Sequence, residues 1–190
     1  QEVVLAAVAQ MSSAFALASE ELRTIREFVL AAVSRCGRAL RYTPFGADRE
    51  VVLAAVKQDG KALLYASEAL QADREAVLAA VAQNGGALES ASDELQADRE
   101  VVLAAVAQNG FALESASDEL QADREVVLAA ISFNDQKEYN DFFESPLQFA
   151  SDELQADREV VLAAVKRIGS ALENASDELK SDREVVLAAV

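Results

Sequence analysis

The sequence predicts an all-α fold, an α-solenoid of about seven to eight helical repeats of about 25 residues, and three observations predict it. First, the core Val-Val-Leu-Ala-Ala-Val returns eight times with small variations. It is opened by Glu2, Glu27, Glu50, Glu75, Glu100, Glu125, Glu159 and Glu184, at spacings of 25, 23, 25, 25, 25, 34 and 25. A fixed period of this size marks a repeat array. Second, most copies are preceded by Asp-Arg-Glu, which reads as a helix start: an aspartate N-cap and an acid in the first turn. Third, the core is apolar nearly all round, and a helix apolar on most sides is sandwiched between neighbours. A unit this short cannot bury its own apolar face, so neighbours must stack.

Residues 98–122 show each element in order. Asp98 caps a helix, worth roughly 1 kcal/mol over alanine. Val101 to Val106 forms the sandwiched core. Asn109-Gly110 is expected to supply a left-handed C-cap. Ala112, Leu113 and Ala116 then carry the apolar spacing of a second, shorter helix. Ser117 is placed to cap a last short turn, residues 118–121, which leads to the next aspartate, Asp123. The long helices are expected near 50–57, 75–83, 100–108, 125–132 and 159–167, with no sheet. Residues 73–97 match 98–122 at 23 of 25 positions, as recent duplication or an engineered consensus would leave them, and the irregular units favour duplication.

The unit DREVVLAAVAQNG-x-ALE-x-AS-x-EL resembles the short helical repeat catalogued as domain of unknown function 4116, and the resemblance covers essentially the whole chain. It implies an array-forming helical repeat and no particular activity, so no functional residue is carried over from it.

Residues 1–190 are expected to form a single continuous array. Gln1 stands where the repeat asks for Arg and Val190 where the motif stops, so the array is expected to be part of a longer one. The charge balance, 17 basic against 33 acidic residues, argues against nucleic acid, which needs a positive footprint, and against an anionic membrane surface. Residues 1–50 are neutral, with Arg23, Arg26, Arg35, Arg38, Arg41 and Arg49 against six acids, so the excess of −16 lies beyond them. No apolar run approaches the length of a membrane span. A lone cysteine, Cys36, cannot form an internal disulfide and favours a reducing intracellular compartment. Import into an organelle stays open.

The sequence has no histidine, which removes the commonest general base and metal ligand. It has no phosphate loop and no nucleophile-elbow motif. The expectation is therefore a non-enzyme with no catalytic residue, no cofactor and no metal. Asp93, Glu94, Asp98 and Glu100 cluster, but a calcium loop needs a sharp turn, usually at glycine, so they read as caps and a solvated face. Arg49, Arg74, Arg99, Arg124, Arg158 and Arg183 recur once per unit and read as partners of neighbouring acids. Cys36, which aligns with Asn109, reads as a small residue that fits.

Two units break the pattern, and repeat proteins place function in such departures. In 34–47 the unit is two residues short. Arg41 replaces the usual glutamate, and Pro44-Phe45-Gly46 replaces the last helical turn. Its candidate partner-binding residues are Arg38, Arg41, Tyr42 and Phe45. In 132–149 a nine-residue expansion carries Phe133, Tyr139, Phe142, Phe143 and Phe149, five of the eleven aromatics, among them the candidates Tyr139, Phe142 and Phe143. Asn140 or Asp141 could cap a short extra helix there. The function expected is a scaffold or accessory subunit that contacts a protein partner through these two segments. The alternatives are a peptide- or ligand-binding repeat module, or the targeting portion of a larger effector or enzyme.

Overall fold

The computed structural model describes residues 2–133 and 145–190, and among them every regular element is helical. The fold is all-α and its repeats stack as an α-solenoid's do. The chain gathers into two compact units, Gln1–Leu95 and Gln96–Val190. In the first, the long helices are Glu2–Gln10, Arg26–Val33, Arg49–Gln58 and Arg74–Gln83. In the second they are Arg99–Gln108, Arg124–Ser132, Arg158–Val165 and Arg183–Ala188. The expected helices match these within one or two residues at each end.

The long helices that an aspartate precedes start as it predicts, whereas Arg26–Val33 follows Ile25 and has no side-chain cap. Asp98 Oδ1 accepts the amides of Glu100 and Val101 at 2.9 and 3.1 Å, and Asp123, Asp157 and Asp182 do the same in their own repeats. The helix's other end departs from expectation. Asn109 is extended, at φ −154° and ψ 108°, not left-handed, and its Oδ1 accepts the Phe111 amide at 3.1 Å. Asn109 therefore caps the next element. That element is a six-residue 3₁₀ helix, Gly110–Ser115, where a second α-helix was expected, and the closing piece, Asp118–Gln121, is α-helical.

The glycine after Asn109 has a different reason from the one expected. A Cβ on Gly110 would run into the carbonyl oxygen of Ala130 in the next repeat's long helix, and Gly37, Gly60 and Gly169 face Ala55, Ala80 and Ala189 in the same way. Glycine stands there because backbone meets backbone at the joint between repeats.

Within each unit the long helices pack side by side, the 3₁₀ helices pack on one another, and the two layers pack together. The core lies between them. Val101, Val102, Ala105 and Val106 are fully buried, with Leu113 from the 3₁₀ layer. Leu103 and Ala104, expected inside, are only half-buried. They occupy the outer side of the helix, so the sandwich covers four of the six core positions and not all of them. Burying one such valine contributes roughly 1.5–3 kcal/mol.

One further device locks the joints and another stiffens each repeat. The amide of Ser92 donates to the carbonyl of Gln71, Ser117 to Gln96, and Ser176 to Gln155, each at 3.0 Å. The glutamine side chains serve their own repeat: Gln121 Nε2 donates to the carbonyls of Leu113, Glu114 and Ala116 at 3.1–3.2 Å. Ser117 stands at the start of the last turn, but its hydroxyl makes no capping bond. Its amide is the group that matters.

Candidate interaction surface

The arginine register resolves into a ladder between repeats. Arg26 reaches Asp48 at 2.7 Å and Glu50 at 2.6 Å. Arg49 reaches Asp73 at 3.3 Å and also Glu75. In the second unit Arg99 spans to Asp123 at 2.9 Å and to Glu125, and Arg158 to Asp182 at 3.4 Å and to Glu184. Asp73, Asp123, Asp157 and Asp182 divide their work: Oδ1 caps the helix and Oδ2 meets the arginine of the repeat before, while Asp48 Oδ1 both caps and accepts from Arg26 at 3.1 Å. The Arg26 and Arg99 guanidiniums hold Asp48 and Asp123 below the usual carboxylate range, and capping amides contribute. Capping amides come first for Asp73, Asp157 and Asp182, whose values are likewise lowered. These pairs are exposed enough that each is a modest contribution.

The ladder continues across the expansion. Arg124 meets Asp157 at 3.5 Å and pairs with Glu159, and the Ser151 amide donates to Gln121 at 3.0 Å. The repeat re-enters at Ser145, whose Oγ accepts the Leu147 amide at 3.3 Å. Leu147 is fully buried and takes the place of Leu113. Gln155 then repeats the bonds of Gln121. Phe149 packs edge-to-face on Phe111, ring centroids 6.5 Å apart, so this aromatic fills the stack. Tyr139, Phe142 and Phe143, with Asn140 and Asp141, lie outside the described residues.

The short unit keeps its register by another route. Residues 43–48 form no helix, only a turn closed by the Asp48 amide on the Phe45 carbonyl at 3.0 Å; the Gly46 carbonyl accepts the Ser67 amide at 2.7 Å, the role that Gln71 plays one repeat later. Phe45 is half-buried beside it. The Arg38 Nε donates to Asp59 at 2.7 Å, so this candidate's charge is compensated within the protein. Arg41 differs. Its guanidinium carbon stands 5.8 Å from the Tyr42 ring centre and 5.9 Å from that of Tyr65, a cation–π arrangement that holds the charge outward.

The family model described as Domain of unknown function (DUF4116) matches residues 1–45, 48–96, 98–155, 137–179 and 157–190. The chain belongs to the DUF4116 family. No curated protein and no solved structure matches it.

Aligning the DUF4116 repeats on their 3₁₀ segments separates two kinds of position. The third and fourth residues are core: Ala62-Leu63, Ala87-Leu88 and Ala112-Leu113 are all buried. The second, fifth and sixth face outward and vary. In the first unit the sixth position runs Leu17, Tyr42, Tyr65, Ser90 and the fifth runs Ala16, Arg41, Leu64, Glu89. Leu17 is 88 % exposed and Leu64 60 % exposed. In the second unit the pairs are Glu114-Ser115, Gln148-Phe149 and Glu173-Asn174. The first unit thus carries a basic, aromatic and aliphatic row where the second is mostly acidic and small. Tyr65 and Leu64 were missed from the sequence because their unit has regular length; the signal was the replacement of Glu-Ser by Leu-Tyr at matched positions.

Among the described residues no group of acids, cysteine or histidine is arranged to hold a metal ion, and no helix is long and apolar enough to cross a membrane. Asp98 and its equivalents are engaged as caps, as expected.

Proposed function

We propose that this chain is a non-catalytic helical-repeat scaffold or accessory subunit that mediates protein–protein interaction, with its contact on the 3₁₀ face of the first unit. The observation that carries this reading is the division of labour among repeat positions. Caps, ladder arginines, joint glycines and core valines recur in most repeats, while the outward 3₁₀ positions of the first unit hold Leu17, Arg41, Tyr42, Leu64 and Tyr65. Exposed apolar groups scattered singly are ordinary; a contiguous row marks an interaction surface. Tyrosine and arginine are also the residues that dominate interface energies. The expansion at 132–149 remains a second proposed contact through Tyr139, Phe142 and Phe143. The partner is a protein, not nucleic acid.

The test is a native-extract pull-down with the chain as bait, followed by cross-linking and mass spectrometry. The expected result is a stable protein partner cross-linked at Lys61, which lies on this face. Absence of any stable protein partner overturns the reading.

A further inference from the structure

The 3₁₀ row of the first unit carries more than exposure. Between the segments Gly60–Tyr65 and Gly85–Ser90 lies a depression of about 210 Å³, lined by Lys61, Leu64, Gly86, Ala87, Glu89 and Ser90. It opens because Gly86 occupies the second 3₁₀ position, where other repeats carry Arg38, Lys61, Phe111 and Ser170. One wall is the exposed aliphatic chain of Leu64. The space is below the range that encloses a small-molecule ligand and suits one apolar side chain of a larger partner.

Charge sets the rest of the partner's chemistry. Lys61 stands on the rim, and Arg41 lies one repeat earlier, within cation–π reach of Tyr42 and Tyr65. Neither is paired with a carboxylate among the described residues, whereas Arg38 beside them is taken by Asp59. A guanidinium within cation–π reach of two rings keeps its N–H edge for an incoming carboxylate. Glu89 lines the far rim, so the cations that would accept negative charge lie on the Arg41 and Lys61 side.

Resting on the interaction role proposed above, we propose that this row docks an acidic peptide segment of a partner protein. One aliphatic side chain of that segment enters the depression between Lys61, Leu64 and Gly86. The acidic residues lie toward Arg41 and Lys61, and Tyr42 and Tyr65 cover the stem between them. The charged contacts set orientation and the rate of encounter; the anchor sets the lifetime.

The test uses the full chain and a fluorescein-labelled synthetic peptide in which a run of Asp and Glu precedes a single leucine, read by fluorescence polarisation. Two variants are built from the protein's own repeats, so the fold already accommodates them. Leu64→Glu with Tyr65→Ser installs the pair found at Glu89-Ser90, and Gly86→Phe installs the residue found at Phe111. Wild type is expected to bind saturably, and more weakly as salt rises. Each variant should lose about tenfold or more in affinity, as should the peptide with its leucine changed to serine. Far-UV circular dichroism and melting should be unchanged. Three outcomes overturn the proposal: no saturable binding by wild type, binding that both variants retain, or equal binding of the leucine and serine peptides. A pull-down separates this from the broader role. A native partner held equally by wild type and the Leu64→Glu, Tyr65→Ser chain sinks the acidic-peptide row and leaves the interaction role standing.

Discussion

Replacing Gly60 with alanine is expected to destabilise the first unit, although glycine-to-alanine changes often stabilise. Two effects compete. Alanine restricts the unfolded chain and gains about 0.4–1 kcal/mol where its backbone angles are acceptable. Gly60 does not need a left-handed backbone, so that gain is available. Against it stands the joint. A new Cβ would overlap the Ala80 carbonyl oxygen, 3.2 Å from the carbonyl carbon and 3.1 Å from the Cβ of Asn84. That carbonyl cannot turn away, because it accepts the Asn84 amide at 2.9 Å. Relief requires sliding the 3₁₀ layer off the next long helix, and overpacking of this kind costs about 1–3 kcal/mol. The net loss should be about 1–2 kcal/mol, a fall in melting temperature of roughly 2–8 °C for a chain this long. The control is Gly86→Ala, at a position where other repeats already carry side chains; it should be neutral or gain up to about 1 kcal/mol. Thermal melts followed by far-UV circular dichroism decide. If Gly60→Ala melts with or above Gly86→Ala, backbone contact is not why the joint glycine is there.

Three further outcomes follow from the same packing. Val106→Asp should unfold its repeat and loosen those it packs on, since a buried charge has no partner there. Leu103→Asp should cost distinctly less, because Leu103 is half-buried, and Glu114→Asp should be nearly silent; equal urea midpoints for the three would refute the two-layer assignment. Asp123→Ala should lose the cap, about 1 kcal/mol, while Asp123→Asn keeps a capping oxygen and should recover most of it; if both variants melt alike, the cap is not the main role. The pKa values of Asp48, Asp73, Asp123, Asp157 and Asp182 lie below normal in the folded chain. Their contribution is therefore present above the ordinary aspartate value of about 3.9 and lost as pH falls through the depressed folded values. Melting should drop steeply below about pH 4, and with all five changed to asparagine the drop should be shallower; an unchanged acid slope would refute the assignment.

The long helices, their aspartate caps and the arginine ladder were legible in the sequence because each is either local or repeated in register. Asp98 caps within three residues, and Arg99 finds Asp123 because most repeats offer the same pair. The joint glycine was not legible in its true role. Its partner, Ala130 for Gly110, lies in the next repeat, and Asn-Gly is also a common left-handed cap, so local chemistry pointed the wrong way. The same is true of Gln121, whose polar side chain looks like surface yet closes the carbonyls of its own 3₁₀ segment. Leu103 misled because an all-apolar run does not say which two of its six positions face out. On the candidate surface, the shortened unit marks Arg41 and Tyr42, and with them Arg38, which Asp59 neutralises. Leu64 and Tyr65 carry no such mark, because the length of their repeat is regular.

The double duty of the opening aspartate has a genetic consequence. One oxygen serves its own repeat and the other the repeat before it, so each copy carries one half of the joint before it and one half of the joint after it. Unequal crossing-over that adds or removes a whole copy leaves every remaining joint chemically complete. Array length can then drift by copy number at little structural risk, while the outward 3₁₀ residues are edited one copy at a time. The near-identity of residues 73–97 and 98–122 is the trace such a process would leave. A population of genes of this kind should differ first in the number of repeats and only later in their joints.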